Sequence, residues 1–188
     1  MKIGKITLDG YFNYGNLLQS YALQEVLLRY SEEVDTLWHL PNNFLPETFW
    51  QRGWKEPFNY IFNKRNYRNE FQSGHYGYEM VRQGKIRDWA DRYIRIRKNI
   101  KNLSALDDEY DYFVTGSDQV WNPFFYGRKN TQNIKNHFLE FASNNKRLSY
   151  AASISAPEVP DYRRKIFIEG INGMHSISVR EIGGGGAD

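Results

Sequence analysis

The stretch Tyr110-Asp111-Tyr112-Phe113-Val114-Thr115-Gly116-Ser117-Asp118-Gln119-Val120-Trp121-Asn122-Pro123 joins an apolar run to a polar, turning loop. Residues 112–115 are aromatic and β-branched, and behind them stand Asp107, Asp108, Glu109 and Asp111. That pattern fits a short strand buried on both faces, the kind found inside a parallel sheet. Gly116 lets the backbone turn where a side chain would obstruct it, and Ser117 and Asp118 are both natural helix N-caps. An acid, an amide and an indole (Asp118, Gln119 and Trp121) therefore gather at the carboxyl end of one strand. In an open α/β sheet, ligands sit at that end.

Working outward, residues 3–8 read as a first strand and residues 9–16 as a loop with two glycines, Gly10 and Gly15. A helix follows over 17–30, in which Leu18, Ala22 and Val26 repeat at i, i+4 beside Leu23, Leu27 and Tyr30. Residues 34–38 then read as a second strand. This order is a parallel crossover unit, the opening of a Rossmann-like sheet. The loop lacks G-x-G-x-x-G spacing, so it carries no dinucleotide signature. Further strands are expected at 147–153 and 176–179, with Asp161 capping a helix to about residue 172. Residues 126–135 read as a polar surface excursion. The sequence thus predicts a three-layer α/β domain over 1–182 with a mainly parallel sheet.

Residues 41–102 differ in composition. Positions 50–102 hold 13 Lys or Arg against 5 Asp or Glu, so the overall charge of +3 conceals a basic insertion in an otherwise acidic chain. Aromatics crowd its first part and a helix with a basic face is expected over 79–97. Such interleaving can bind single-stranded nucleic acid. No nucleic-acid module motif accompanies it, and an insertion packed on the body with solvated cations is the preferred reading, so no nucleic-acid partner is expected. The Gly-rich residues 183–188 have no Lys, Ser, Thr or helix after them and read as a frayed or truncated terminus rather than a phosphate loop.

The absence of cysteine excludes disulfides, thiolate nucleophiles and cysteine-ligated metals. His39, His75, His137 and His175 are far apart in sequence, and no metal site is expected. No apolar run reaches membrane-spanning length and residues 1–8 do not make a signal peptide, which points to a cytoplasmic protein, at most peripheral at the inner membrane face.

Four segments together resemble the polysaccharide pyruvyl transferase family. Its members carry a near-identical Gly-Ser-Asp-Gln-Val-Trp-Asn segment after a central strand, here Gly116 to Asn122. Asn13-Tyr14-Gly15-Asn16-Leu17-Leu18-Gln19-Ser20-Tyr21-Ala22-Leu23-Gln24 resembles the family's first loop and helix, with Asn16 where a small residue such as Ala is more usual. Lys146-Arg147-Leu148-Ser149-Tyr150-Ala151-Ala152-Ser153 and Ile177-Ser178-Val179-Arg180-Glu181 resemble two later strands. The resemblance spans nearly the whole chain but only the first half of the family's usual length.

The resemblance implies a GT-B-like, two-lobed transferase of which this chain is the amino-terminal lobe, the second lobe being absent. It implies transfer of a pyruvyl group from phosphoenolpyruvate, as a ketal, onto a sugar of a cell-surface polysaccharide (exopolysaccharide) precursor, with no cofactor. Asp118 is the candidate catalytic acid or base. Asn13, Tyr14, Gly15, Asn16, Gln19, Gly116, Ser117, Gln119, Trp121 and Asn122 are candidate substrate-binding residues. Asp118 reads equally as a helix cap, and Trp121 as a core filler. The expected partners are phosphoenolpyruvate, a saccharide acceptor that a lipid can carry, and a separately encoded second lobe. The alternative is a non-catalytic saccharide-binding or lobe-pairing module derived from such a transferase. Because the rim loops offer no Lys or Arg for a carboxylate and a phosphate, this chain alone is expected to fold but not to turn over.

Overall fold

The computed structural model describes residues 1–8, 10, 13–39, 75–125 and 130–180, with the backbone alone for 75–83. Residues 9, 11, 12, 40–74 (which take in most of the first part of the basic insertion), 126–129 and 181–188 lie outside the described residues.

Five strands form one parallel sheet: β1 (Lys2–Ile6), β2 (Glu33–Leu37), β3 (Ile96–Arg97), β4 (Tyr112–Gly116) and β5 (Arg147–Tyr150). Their order is β3-β2-β1-β4-β5. The register sets Lys5 beside Thr36 on one side and beside Val114 on the other, and Thr115 beside Ser149. Beyond β5, residues 176–179 run parallel to it through bridges at Leu148–Ser176 and Ala152–Val179. The sheet is therefore parallel throughout the five named strands, with the stretch at 112–115 between two neighbours as its burial pattern requires. β3 was not legible in the sequence, because two residues at a sheet edge carry no periodicity.

Helices cover both faces. On one side, α1 (Tyr14–Leu27) and α2 (His75–Tyr93) pack over the sheet. Ile3, Val34 and Val114 there meet Leu23 of α1, and Leu17 and Trp38 meet Ile86, Ala90 and Ile94. On the other side, Ile6, Leu37 and Phe113 pack against Leu106, Tyr110, Leu139 and Ala142. There too Val120, Trp121 and Ala152 pack with α3 (Thr131–His137) and α4 (Asp161–Asn172) through Ile134, Phe138, Ile166 and Phe167. Alternate residues of β1 and β4 enter opposite cores, which is why these strands read as apolar runs.

α3 corrects the expected polar excursion at 126–135. Asn130 caps it by accepting the amide of Asn133, and Ile134 is fully buried. A single apolar residue among polar neighbours gives too weak a period to reveal a two-turn helix.

Candidate functional site

The chain winds from β1 through β2 to β3 on one side of the sheet, then returns to build β4 and β5 on the other. The order reverses between β1 and β4, which are parallel neighbours with Ile6 beside Thr115. At such a switch point, the loops leaving two adjacent carboxyl ends diverge to opposite faces and leave a crevice between them. The loop after β1 leads to α1, and the loop after β4 is the Gly-Ser-Asp-Gln-Val-Trp-Asn segment.

In the first loop Asn13 is the N-cap of α1. Its Oδ1 accepts the amides of Gly15 at 2.8 Å and Asn16 at 3.4 Å. First-turn donors that would otherwise need water are thus satisfied within the loop. Tyr14 presents an exposed ring just beyond the cap. Gln19, one turn further, has its Oε1 buried without a hydrogen-bond partner among the described residues.

In the second loop Gly116 adopts φ = 129°, and a Cβ there would stand 2.1 Å from the carbonyl oxygen of Tyr150. No side chain fits this approach. The Asp118 carbonyl accepts the amides of Val120 at 2.6 Å and Ser153 at 3.0 Å, while the Trp121 amide donates to the Ser153 carbonyl at 3.1 Å. The β4 loop is therefore tied by main-chain bonds to the loop that leaves β5.

The Asp118 side chain is 7% exposed, and its Oδ1 accepts the Gln119 amide at 2.8 Å. Ser117 and Asp118 were expected to cap a helix; residues 117–121 form turns instead, and Asp118 closes one of them. The reason is Asn122 and Pro123: the Asn122 Oδ1 accepts the Phe124 amide at 3.0 Å and its Nδ2 donates to Gln119 Oε1 at 3.4 Å, which curls the chain before a helix can start. Pro123 also disfavours helical backbone at Asn122.

Trp121 is 1% exposed. Its indole stacks on Phe138 with centroids 5.0 Å apart, and its Nε1 donates to the His137 carbonyl at 3.1 Å. Of its two readings the core one describes this structure: the ring anchors the loop from beneath and does not present a face to solvent. Asn122 is likewise buried, whereas Asn13, Tyr14 and Gly15 are exposed and Asn16, Gln19, Ser117 and Gln119 are partly so.

Tertiary structure also assembles groups that spacing did not reveal. His39, just past β2, and His137 meet edge to face with ring centroids 5.3 Å apart. Burial lowers both, His39 to about 4, and His137 further through its charge repulsion with His39. Among the described residues no group of three or more potential metal ligands gathers. On the opposite face Lys5 is fully buried, and its Nζ donates to the Ser20 carbonyl at 2.5 Å and the Ser20 hydroxyl at 2.7 Å, so that it holds α1 against β1. Desolvation brings its amine down to about 7. Arg163, in the first turn of α4 on the carboxyl rim, is buried, with Nη2 directed at the Asn130 carbonyl at 3.5 Å. A strict alternation of side chains along 3–7 would have placed Lys5 inward with Ile3; no sequence signal paired the two histidines.

A second concavity of about 530 Å³ runs along the β2–β3 edge, lined by Lys2, Asp35 and residues 91–97. Three of its four lining cations are matched: Lys2 and Arg95 pair with Glu33 at 3.1 and 2.9 Å, and Arg97 with Glu109 at 2.6 Å. Glu109, then Tyr110, hold the Arg97 guanidinium above its ordinary value. This network ties the strands at a sheet edge, and exposed pairs of this kind add little to stability.

Among protein families, the one described as polysaccharide pyruvyl transferase matches residues 13–184. Searches of curated proteins and of solved structures gave no match. No described helix is long and apolar enough to cross a membrane.

Proposed function

Because the chain belongs to the polysaccharide pyruvyl transferase family, we propose that its carboxyl rim forms the acceptor side of a site that transfers a pyruvyl group from phosphoenolpyruvate to a sugar diol. The observation that carries this reading is the placement of the Gly116 to Asn122 segment at the switch point between β1 and β4.

In the transfer, two sugar oxygens bond to C2 of the enol and the C2–O bond to phosphate breaks. One hydroxyl proton goes to C3, which becomes a methyl group, and the other leaves with phosphate. A base near the diol must accept a proton in that sequence. Asp118 suits the role because its Oδ1 is fixed by the Gln119 amide at 2.8 Å and its loop is held by the Ser153 bonds, so the carboxylate is oriented before substrate arrives. Asn13, Asn16, Gln19, Ser117 and Gln119 supply directional donors and acceptors for hydroxyls, and Tyr14 an exposed ring for a sugar face. Trp121 and Asn122 support the loop.

The carboxylate and phosphate of phosphoenolpyruvate need convergent cations, which the two rim loops lack. In this reading a second lobe of a GT-B-like pair supplies them, and 1–188 alone binds acceptor without turnover. The test is acceptor-dependent phosphate release from phosphoenolpyruvate, with and without a supplied second lobe. Release is expected only with the lobe and to fall about 100-fold or more in Asp118→Asn. Equal rates for Asp118→Asn and the parent would remove Asp118 from the chemistry, and release by 1–188 alone would show that the first half carries a complete site.

A further inference from the structure

We propose that the contact between Lys5 and Ser20 is a latch that fixes where α1 sits along β1 and so positions Asn13 to Gln19 for the acceptor, which makes Lys5 a positioning residue of the site. This rests on the reading of the carboxyl rim as an acceptor site. Lys5 is the penultimate residue of β1, in register with Thr36 on one side and Val114 on the other, and it is fully buried. Its Nζ donates to the Ser20 carbonyl at 2.5 Å and to the Ser20 hydroxyl at 2.7 Å. Ser20 is itself buried and directly follows Gln19 in α1, about two turns from the Asn13 cap.

Elsewhere α1 is held to the sheet side by apolar packing: Leu17 clusters with Trp38, Ile86 and Ala90, and Leu23 with Ile3, Val34 and Val114. Apolar contact has no direction, so it opposes separation of helix and sheet more than slippage between them. A slip of one residue moves a helix only about 1.5 Å along its axis but turns its side chains by about 100°, which would carry Asn16 and Gln19 away from the crevice between β1 and β4. Among the described residues, the hydrogen bonds that join residues 14–23 to a strand are the two from Lys5. The next polar tie, from Gln24 to the Tyr93 carbonyl and the Arg95 amide at 2.9 Å each, lies one turn further from the rim. Stability does not account for Lys5. Desolvation is what acts on its amine, with no charged group to offset it among the described residues, and an apolar side chain of similar shape would serve the core better. What the amine supplies is direction, the property that a positioned loop needs.

Amide hydrogen exchange of the full chain, read beside urea unfolding at pH 7, separates positioning from stability. Lys5→Met is expected to unfold at higher urea yet to exchange the amides of residues 17–23 about tenfold faster, whereas loss of a group that served stability would move both the same way. Ser20→Ala, which removes the hydroxyl and leaves the carbonyl, is expected to speed the same amides about threefold and to add nothing in the Lys5→Met background. With a second lobe supplied and methyl glycosides of glucose, galactose and mannose as acceptor probes, Lys5→Met is expected to raise the acceptor KM about tenfold with kcat within about twofold, because the group at the reacting atoms is untouched. Exchange at 17–23 that is unchanged or slower in Lys5→Met, or additive effects of the two substitutions, would overturn the latch. An unchanged acceptor KM would overturn its role in the site. A parent chain that releases no phosphate with the lobe present sinks the reading of the rim, and that role with it, while exchange still decides the latch.

Discussion

Lys5 shows how one side chain can make stability depend on pH. Burial takes its amine from an ordinary 10.5 to about 7, and among the described residues the hydrogen bonds its amine makes in return are to Ser20. Between those values the unfolded chain binds a proton that the folded chain does not, so stability rises with pH across that window. His39 acts at the acid end: its ordinary 6.5 falls to about 4 through burial, so stability is lost as pH drops from 6.5 towards 4. Replacing Lys5 by Met removes a desolvated amine from a buried position beneath α1. Lys5→Met is expected to raise stability at pH 7 by a few kcal/mol and to flatten the alkaline rise while leaving the acid limb intact. Urea unfolding at a series of pH values measures both. A variant curve parallel to the parent's between pH 7 and 10 would show that Lys5 does not titrate there.

Among the elements, glycines on helices separate two physical causes. Gly84 in α2 has nothing among the described residues within 4 Å of where a Cβ would stand, so Gly84→Ala should only restrict the unfolded chain and stabilise by about 0.5–1 kcal/mol. Gly170 in α4 would place its Cβ 2.3 Å from Cγ of Phe138, the ring that stacks on Trp121. Gly170→Ala should therefore destabilise by about 1–3 kcal/mol, despite alanine's better helix propensity. Denaturant midpoints of the two variants moving in the same direction would contradict this account of α4 packing. The difference was invisible in sequence, where each is a lone glycine in a helical stretch.

Across the whole molecule, β1 and β4 contribute to the cores on both faces: Ile3 and Val114 to one, Ile6 and Phe113 to the other. Neither layer of helices can leave without exposing strands that the other layer also covers. One cooperative transition is therefore expected, with far-ultraviolet dichroism and tryptophan fluorescence superimposing; separated transitions would show that the layers unfold independently. The sequence by itself determined the parallel α/β sheet, because doubly buried strands must be apolar along their length and that pattern survives without coordinates. It also marked the loop at 116–122, since glycine followed by short polar residues is the chemistry a turn requires. Only the tertiary structure decided that Trp121 lies in the core, that residues 117–121 turn without becoming a helix, that His39 meets His137, and that Lys5 is sealed beneath α1. Each of these depends on which distant residues come to share a space. Local propensity and periodicity describe a residue's own segment; burial and pairing are set by the segments packed against it.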